Sequence, residues 1–133
     1  MTVVVAVGAL AYRAAMTAPI YRIFRLTEWQ AFVADGVFAG SRDDHRDGFI
    51  HMSTAEQVEG TRAKHYANVG QLVVAAFDAD RLKDSIRWET SRGGALFPHV
   101  YGRLTEDALV GAALVTGDVD EAVARAAAGE EPA

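Results

Sequence analysis

The order of periodic segments constrains this chain more than any other feature. A strand pattern at Ile20–Phe24 precedes a helix pattern from Thr27, a strand at Gly48–Met52 and a second helix after Ser53. The segments that follow are mostly strands. A strand–helix–strand–helix start that gives way to strands favours an α+β domain with a mostly antiparallel sheet. A doubly wound parallel sheet would need a crossover between each pair of strands. No glycine-rich phosphate-binding turn opens either helix, so a dinucleotide fold of that parallel kind is unsupported.

Local patterns fill in this order. Ile20, Arg22 and Phe24 share one strand face, and Tyr21 and Ile23 the other. Thr27-Glu28-Trp29-Gln30 reads as a capping box, Trp29, Phe32 and Val33 as a buried stripe, and Asp35-Gly36 as a stop. Residues 37–47 read as a polar loop. Ser53-Thr54, with Glu56 and Gln57 three residues on, caps a helix running to about Ala67. Leu72–Phe77 is nearly continuous in apolar residues, as a central strand requires. A short strand at Ile86–Glu89, a flexible Ser91–Gly94 loop and strands at Phe97–Leu104 and Leu109–Val115 follow. Asp118–Ala128 is a capped, alanine-rich helix. Residues 1–18 are expected to be an extension outside the core, with Met16 as the true start or, alternatively, Val3–Val7 as an extra strand. Residues 19–117 form a single domain, and 118–133 a C-terminal helix and a frayed acidic tail.

Composition narrows the function classes. The chain of 133 residues has no cysteine, which excludes disulfides, thiolate-held metal and cysteine nucleophiles. No apolar run reaches the roughly 18 residues of a membrane helix. Residues 104–133 hold seven acids (Glu106, Asp107, Asp118, Asp120, Glu121, Glu130, Glu131) against Arg125, while residues 1–103 hold 12 bases and 11 acids. The body is therefore near neutral and lacks the broad basic face of a nucleic-acid binder. The expected partner is a small molecule, with no nucleic acid, no membrane and a cytoplasmic location.

Three stretches carry chemistry. In Asp47-Gly48-Phe49-Ile50-His51-Met52-Ser53-Thr54, period two puts Phe49, His51 and Ser53 on one face, so an imidazole and a hydroxyl meet where a helix starts. The plainer role is a core histidine and a helix cap. In Phe97-Pro98-His99-Val100-Tyr101-Gly102-Arg103-Leu104, Phe97, His99, Tyr101 and Arg103 share a face, and each polar tip needs a partner that a ligand cleft would supply. The plainer role is a wet sheet face. Pro98 removes a ladder donor and suggests an edge or a break in pairing. In Arg87-Trp88-Glu89, Trp88 offers a stacking surface and Glu89 an acceptor or general base. The plainer role is a buried tryptophan beside an exposed ion pair. His45 and His65 read as surface residues. His51, His99 and Glu89 would also make a two-histidine, one-carboxylate set for a metal-assisted hydrolase, an alternative without short helix-borne spacing. No metal is expected.

Taken together, Ile20-Tyr21-Arg22-Ile23, Trp29, the Asp47–Thr54 stretch with Gln57, Arg87-Trp88-Glu89 and Phe97–Gly102 resemble the bacterial domain of unknown function 952, over about Pro19 to Val115. That family is grouped with the ADP-ribosyltransferase-like superfamily. The resemblance implies a split antiparallel sheet with two or three helices and a nicotinamide-dinucleotide cleft between the halves. It implies cleavage of the nicotinamide–ribose bond through an oxocarbenium-like state. The superfamily's first-strand position would fall at Tyr21 or Arg22, and its second-strand position at His51 and Ser53. Its late glutamate has no clear counterpart: Glu89 precedes the last strands, Glu106 sits in a turn, and the sequence presents His99 and Tyr101 instead.

The expected catalytic residues are thus His51, Glu89 and His99. The expected ligand-binding residues, with NAD as cofactor or substrate, are Tyr21, Arg22, Ser53, Trp88, Tyr101 and Arg103. Arg22 or Arg103 would hold phosphate, an aromatic ring would stack on the base, and His51 or Glu89 would orient ribose hydroxyls. A non-catalytic small-ligand or protein-interaction module is the other alternative.

Overall fold

A computed structural model describes residues 18–132. The extension expected over 1–18, with the Val3–Val7 strand, lies outside the described residues except for Ala18. The first strand, β1 (Ile20–Arg25), leads into α1 (Leu26–Asp35), β2 (Val37–Phe38), α2 (Arg42–Asp47) and β3 (Ile50–His51). A 3-10 turn at Ala55–Gln57 enters α3 (Val58–His65), and β4 (Leu72–Phe77), β5 (Ile86–Thr90), β6 (Leu96–Val100), β7 (Leu104–Thr105), β8 (Leu109–Leu114) and α4 (Val119–Ala127) complete the order. The fold is α+β with antiparallel pairing throughout. One three-stranded sheet has the order β1-β4-β8, a second β3-β6-β5, and β2 pairs with β7. Tyr21 and Ser53 stitch the two larger sheets by reciprocal main-chain bonds of 2.7 and 2.9 Å.

The apolar run of β4 follows from burial on both faces. Val73, Ala75 and Phe77 enter one core with Phe24, Phe32 and Val100, whereas Leu72, Val74 and Ala76 enter another with Val58, Val119 and Ala122. A strand covered on both sides has no polar face to alternate with. Phe24 organises the first core, with Trp29, Phe32 and Phe38 rings at 5.0–5.7 Å.

Several expectations need correction. The described residues hold four α-helices rather than two or three. The additional one, α2, lies in the stretch expected to be a loop. Its Ser41 N–H donates to the Asp44 carboxylate at 2.7 Å, the Ser41 hydroxyl accepts from Asp44 N–H, and Gly48 at φ 87° ends it. An all-polar helix gives no apolar period, so only its cap betrays it. Helix α1 starts two residues early: Glu28 accepts from Arg25 N–H at 2.9 Å, and Arg25 rather than Thr27 is the cap. The strand expected at Phe97–Leu104 breaks at Tyr101, and Pro98 sits in the central strand β6 instead of at an edge. Pairing with β3 does end there, because Met52 N–H donates to the Pro98 carbonyl and proline has no N–H to return, whereas pairing with β5 continues to Leu96. Where a frayed tail was expected, Glu130 accepts from Ala112 N–H at 2.6 Å and from Arg125 through its carboxylate at 2.7 Å.

That tail contact brings β8 and α4 close. A Cβ on Gly111 would meet the Ala126 carbonyl and lie 2.7 Å from Gly129 Cα, both main-chain atoms that cannot rotate aside. Gly111→Ala is expected to cost about 1–3 kcal/mol by overpacking. Urea unfolding should show a lower midpoint with an unchanged slope, and an unshifted midpoint would count against the close approach.

Candidate functional site

A cleft of about 370 Å³ opens where the two larger sheets meet. Tyr21 and Arg22 reach it from β1, His51 and Ser53 from β3 and its end, and Phe97 and His99 from β6. Helix α2 and its cap contribute Ser41, Asp43, Asp44, Arg46 and Asp47; helix α3 and its end contribute Thr61, Lys64, His65 and Tyr66. Sheet register creates the centre. His51 pairs directly with His99, and Arg87 pairs with His99 from the other side, which puts Glu89 diagonal to that imidazole.

Asp44 is the hub of one wall and is 2% exposed. Its Oδ1 accepts from Arg22 at 3.0 Å, from His51 N–H at 3.0 Å and from His51 Nδ1 at 2.6 Å; its Oδ2 accepts from Ser41. Burial acts to raise this carboxyl. The His51 hydrogen bond, the Arg22 charge and the main-chain donors outweigh burial and hold it far below the ordinary carboxylate range. Arg22 is 4% exposed and also donates to the His51 carbonyl at 3.0 Å. The other ring nitrogen of His51, Nε2, meets the Asp47 carboxylate at 2.9 Å. With both nitrogens donating, His51 serves as a double hydrogen-bond donor.

His99 is built differently. It is 5% exposed, its ring stacks on Phe49 at 3.8 Å, and its Nδ1 donates to Glu89 at 2.8 Å. Glu89 also accepts from the Tyr101 hydroxyl at 2.7 Å. Those two donors, His99 first, lower the Glu89 carboxyl from its ordinary value, and the same bond raises the Tyr101 phenol. Arg87 lies 4.7 Å from the centre of the Tyr101 ring. A carboxylate on Nδ1 fixes the tautomer and leaves Nε2, which has no hydrogen-bond partner among the described residues, as an acceptor at the cleft. Such a carboxylate–imidazole pair can take up or return a proton.

The structure thus brings together Tyr21, Arg22, His51, Ser53 and His99, with Glu89 and Tyr101 behind His99. Two expected residues do not join them. Trp88 is 50% exposed and alternates away from Glu89 onto the opposite face of β5, and Arg103 is exposed beyond the break in β6. Arg22 is present but offers little to a phosphate, because it is 4% exposed and its NH1 is engaged by Asp44 and the His51 carbonyl. Ser53 shares its hydroxyl with Thr61 at 3.0 Å instead of capping. Burial, then the Glu56 charge, raises the Tyr21 phenol. His65 is exposed, as expected of a surface residue, and also lines the cleft. The metal-hydrolase trio is not arranged as one: Glu89 is taken by His99, and no group of three or more His, Asp or Glu that could hold a metal ion occurs among the described residues. Sequence reasoning missed Asp44, Arg46, Asp47 and Lys64, because it read α2 as loop and gave α3 no inward polar face.

No helix among the described residues is long and apolar enough to cross a membrane. Comparison with solved structures gives the crystal structure of CC0527 from Caulobacter crescentus, 42% identical, covering 77% of this chain and 90% of that one, with a TM-score of 0.72. The solution NMR structure of the same protein is 42% identical over 77% and 88%, with a TM-score of 0.67. Comparison with curated proteins gives no match. The family model described as "Protein of unknown function (DUF952)" matches residues 23–112. With that match over residues 23–112 and 42% identity to CC0527 across 77% of its length, this chain belongs to the DUF952 family.

Proposed function

We propose that the cleft binds a nicotinamide dinucleotide or a related ADP-ribose compound and cleaves its nicotinamide–ribose bond, on an ADP-ribosyltransferase-like fold. The observation that carries this reading is the convergence of Tyr21, Arg22, His51, Ser53 and His99 from two half-sheets on one cleft. The superfamily that the sequence resembles has its dinucleotide cleft between two halves of a split sheet, which supports this reading. A volume near 370 Å³ sits at the lower end of the range for small-molecule sites, about 300–1,000 Å³, and suits one end of such a ligand. Lys64 at the rim has no ion pair among the described residues and faces the ligand's phosphates. In the chemical step nicotinamide leaves ribose C1′ with its bonding electron pair. Water adds to the oxocarbenium-like carbon, and His99 Nε2 takes the water's proton. A cytoplasmic location suits this substrate class and a chain without cysteine.

Calorimetry with the oxidised dinucleotide and with ADP-ribose, alongside a nicotinamide-release assay, tests the reading. Saturable binding of at least one compound and release of nicotinamide are expected; silence in all three assays removes it. The engagement of both His51 nitrogens by carboxylates favours a second reading, a binding module without turnover. Binding without release would select that one.

A further inference from the structure

The arginine expected to hold phosphate is locked to Asp44, yet the cleft presents another. Arg46 Nε donates to Asp47 Oδ1 at 3.0 Å and its NH2 to Oδ2 at 3.3 Å, and His51 Nε2 donates to that Oδ2 at 2.9 Å. A guanidinium fork and an imidazole N–H aimed at one carboxylate are the donor set that recognises an oxyanion. Resting on the ligand class proposed above, we propose that Arg46 and His51 Nε2 form a subsite for one phosphate group of the ligand, and that the Asp47 carboxylate is a built-in competitor which the phosphate displaces.

The arrangement supports displacement. Asp47 is the last residue of α2 and is followed by Gly48, so its negative charge gains nothing from the helix end. Its side chain is 32% exposed, so it borders solvent and is not enclosed by the core. Asp44 fixes the His51 ring through Nδ1, and Asp43 holds the far nitrogen of Arg46 at 3.3 Å. A phosphate offers three acceptor oxygens and more charge than the carboxylate it replaces.

Titration with inorganic pyrophosphate at fixed ionic strength tests this. Asp47→Asn should bind it about tenfold more tightly than the parent, the scale of one charge-assisted contact. Asp43→Asn removes the same charge from the same arginine but leaves Asp47 in place, and should gain less than about threefold. Adding Arg46→Gln to Asp47→Asn should erase the gain. Equal gains in the two single variants, or none in Asp47→Asn, would overturn the subsite. A parallel titration with ADP-ribose separates the two proposals. Equal ADP-ribose affinity in the parent and Asp47→Asn sinks the subsite and leaves the ligand class standing. The expected pyrophosphate pattern with no ADP-ribose binding keeps the subsite and sinks the ligand class.

Discussion

Asp44→Ala is expected to destabilise the protein by about 3–5 kcal/mol at pH 7, because it strands the Arg22 guanidinium in the core without a counter-charge. Arg22 and Asp44 are 4% and 2% exposed, and Arg22 Nε already has no hydrogen-bond partner. A loss of that size is a large share of the roughly 5–15 kcal/mol that holds a domain together. The pH dependence has a definite sign. The Asp44 carboxyl is depressed in the folded state by His51 and Arg22, against the opposing pull of burial. Its contribution is therefore fully present above the unfolded value of about 4 and is lost as pH falls below that toward the folded value. Urea midpoints of the parent and Asp44→Ala should differ most near pH 7 and converge below about pH 4. A difference that persists undiminished in acid would mean the variant lost packing and not charge pairing.

His99→Gln is expected to slow nicotinamide release by about 10²–10⁴-fold, the usual contribution of a positioned acid–base group. Affinity for ADP-ribose should hold within a few-fold, since Nε2 is assigned to the attacking water and not to the phosphates. Glu89→Gln should lower the same rate for a different reason. An amide can donate to Nδ1, which would move the ring proton to Nε2 and remove the acceptor. Glu89 touches no substrate in this scheme and acts by positioning, so its variant should lose rate with little change in apparent affinity. Single-turnover measurements beside calorimetry separate the two quantities. Full activity in His99→Gln would remove this histidine from the chemistry.

How much of this was legible beforehand depended on which physical signal each residue gave. The β4 run and the alternation of Phe97, His99 and Val100 were readable because burial imposes a period on sequence. The meeting of His51 and His99 was not legible, because spacing does not say whether separated segments converge, and their direct pairing needed the register of β3 on β6. Helix α2 was hidden because Arg42, Asp43, Asp44, His45, Arg46 and Asp47 have no apolar member, and with it went Asp44 and Asp47. Arg103 was lost to the opposite error. Alternation was extended past Val100, where the strand had already ended at Tyr101. Trp88 was misjudged because an aromatic next to a glutamate invites a joint role, although adjacent strand residues point to opposite faces.

The Tyr21–Ser53 stitch has a mechanical corollary. Two slabs whose main chains are stitched at one place, and which otherwise meet through packed side chains such as Phe24, Phe77 and Val100, can shift about that stitch while every rung inside each slab stays intact. The gape of the jaw between them is then set by side-chain clasps, such as Arg22 reaching across to the His51 carbonyl at 3.0 Å, and not by a stiff continuous ladder. Changing a clasp would retune what the jaw admits and leave the slabs themselves as they are.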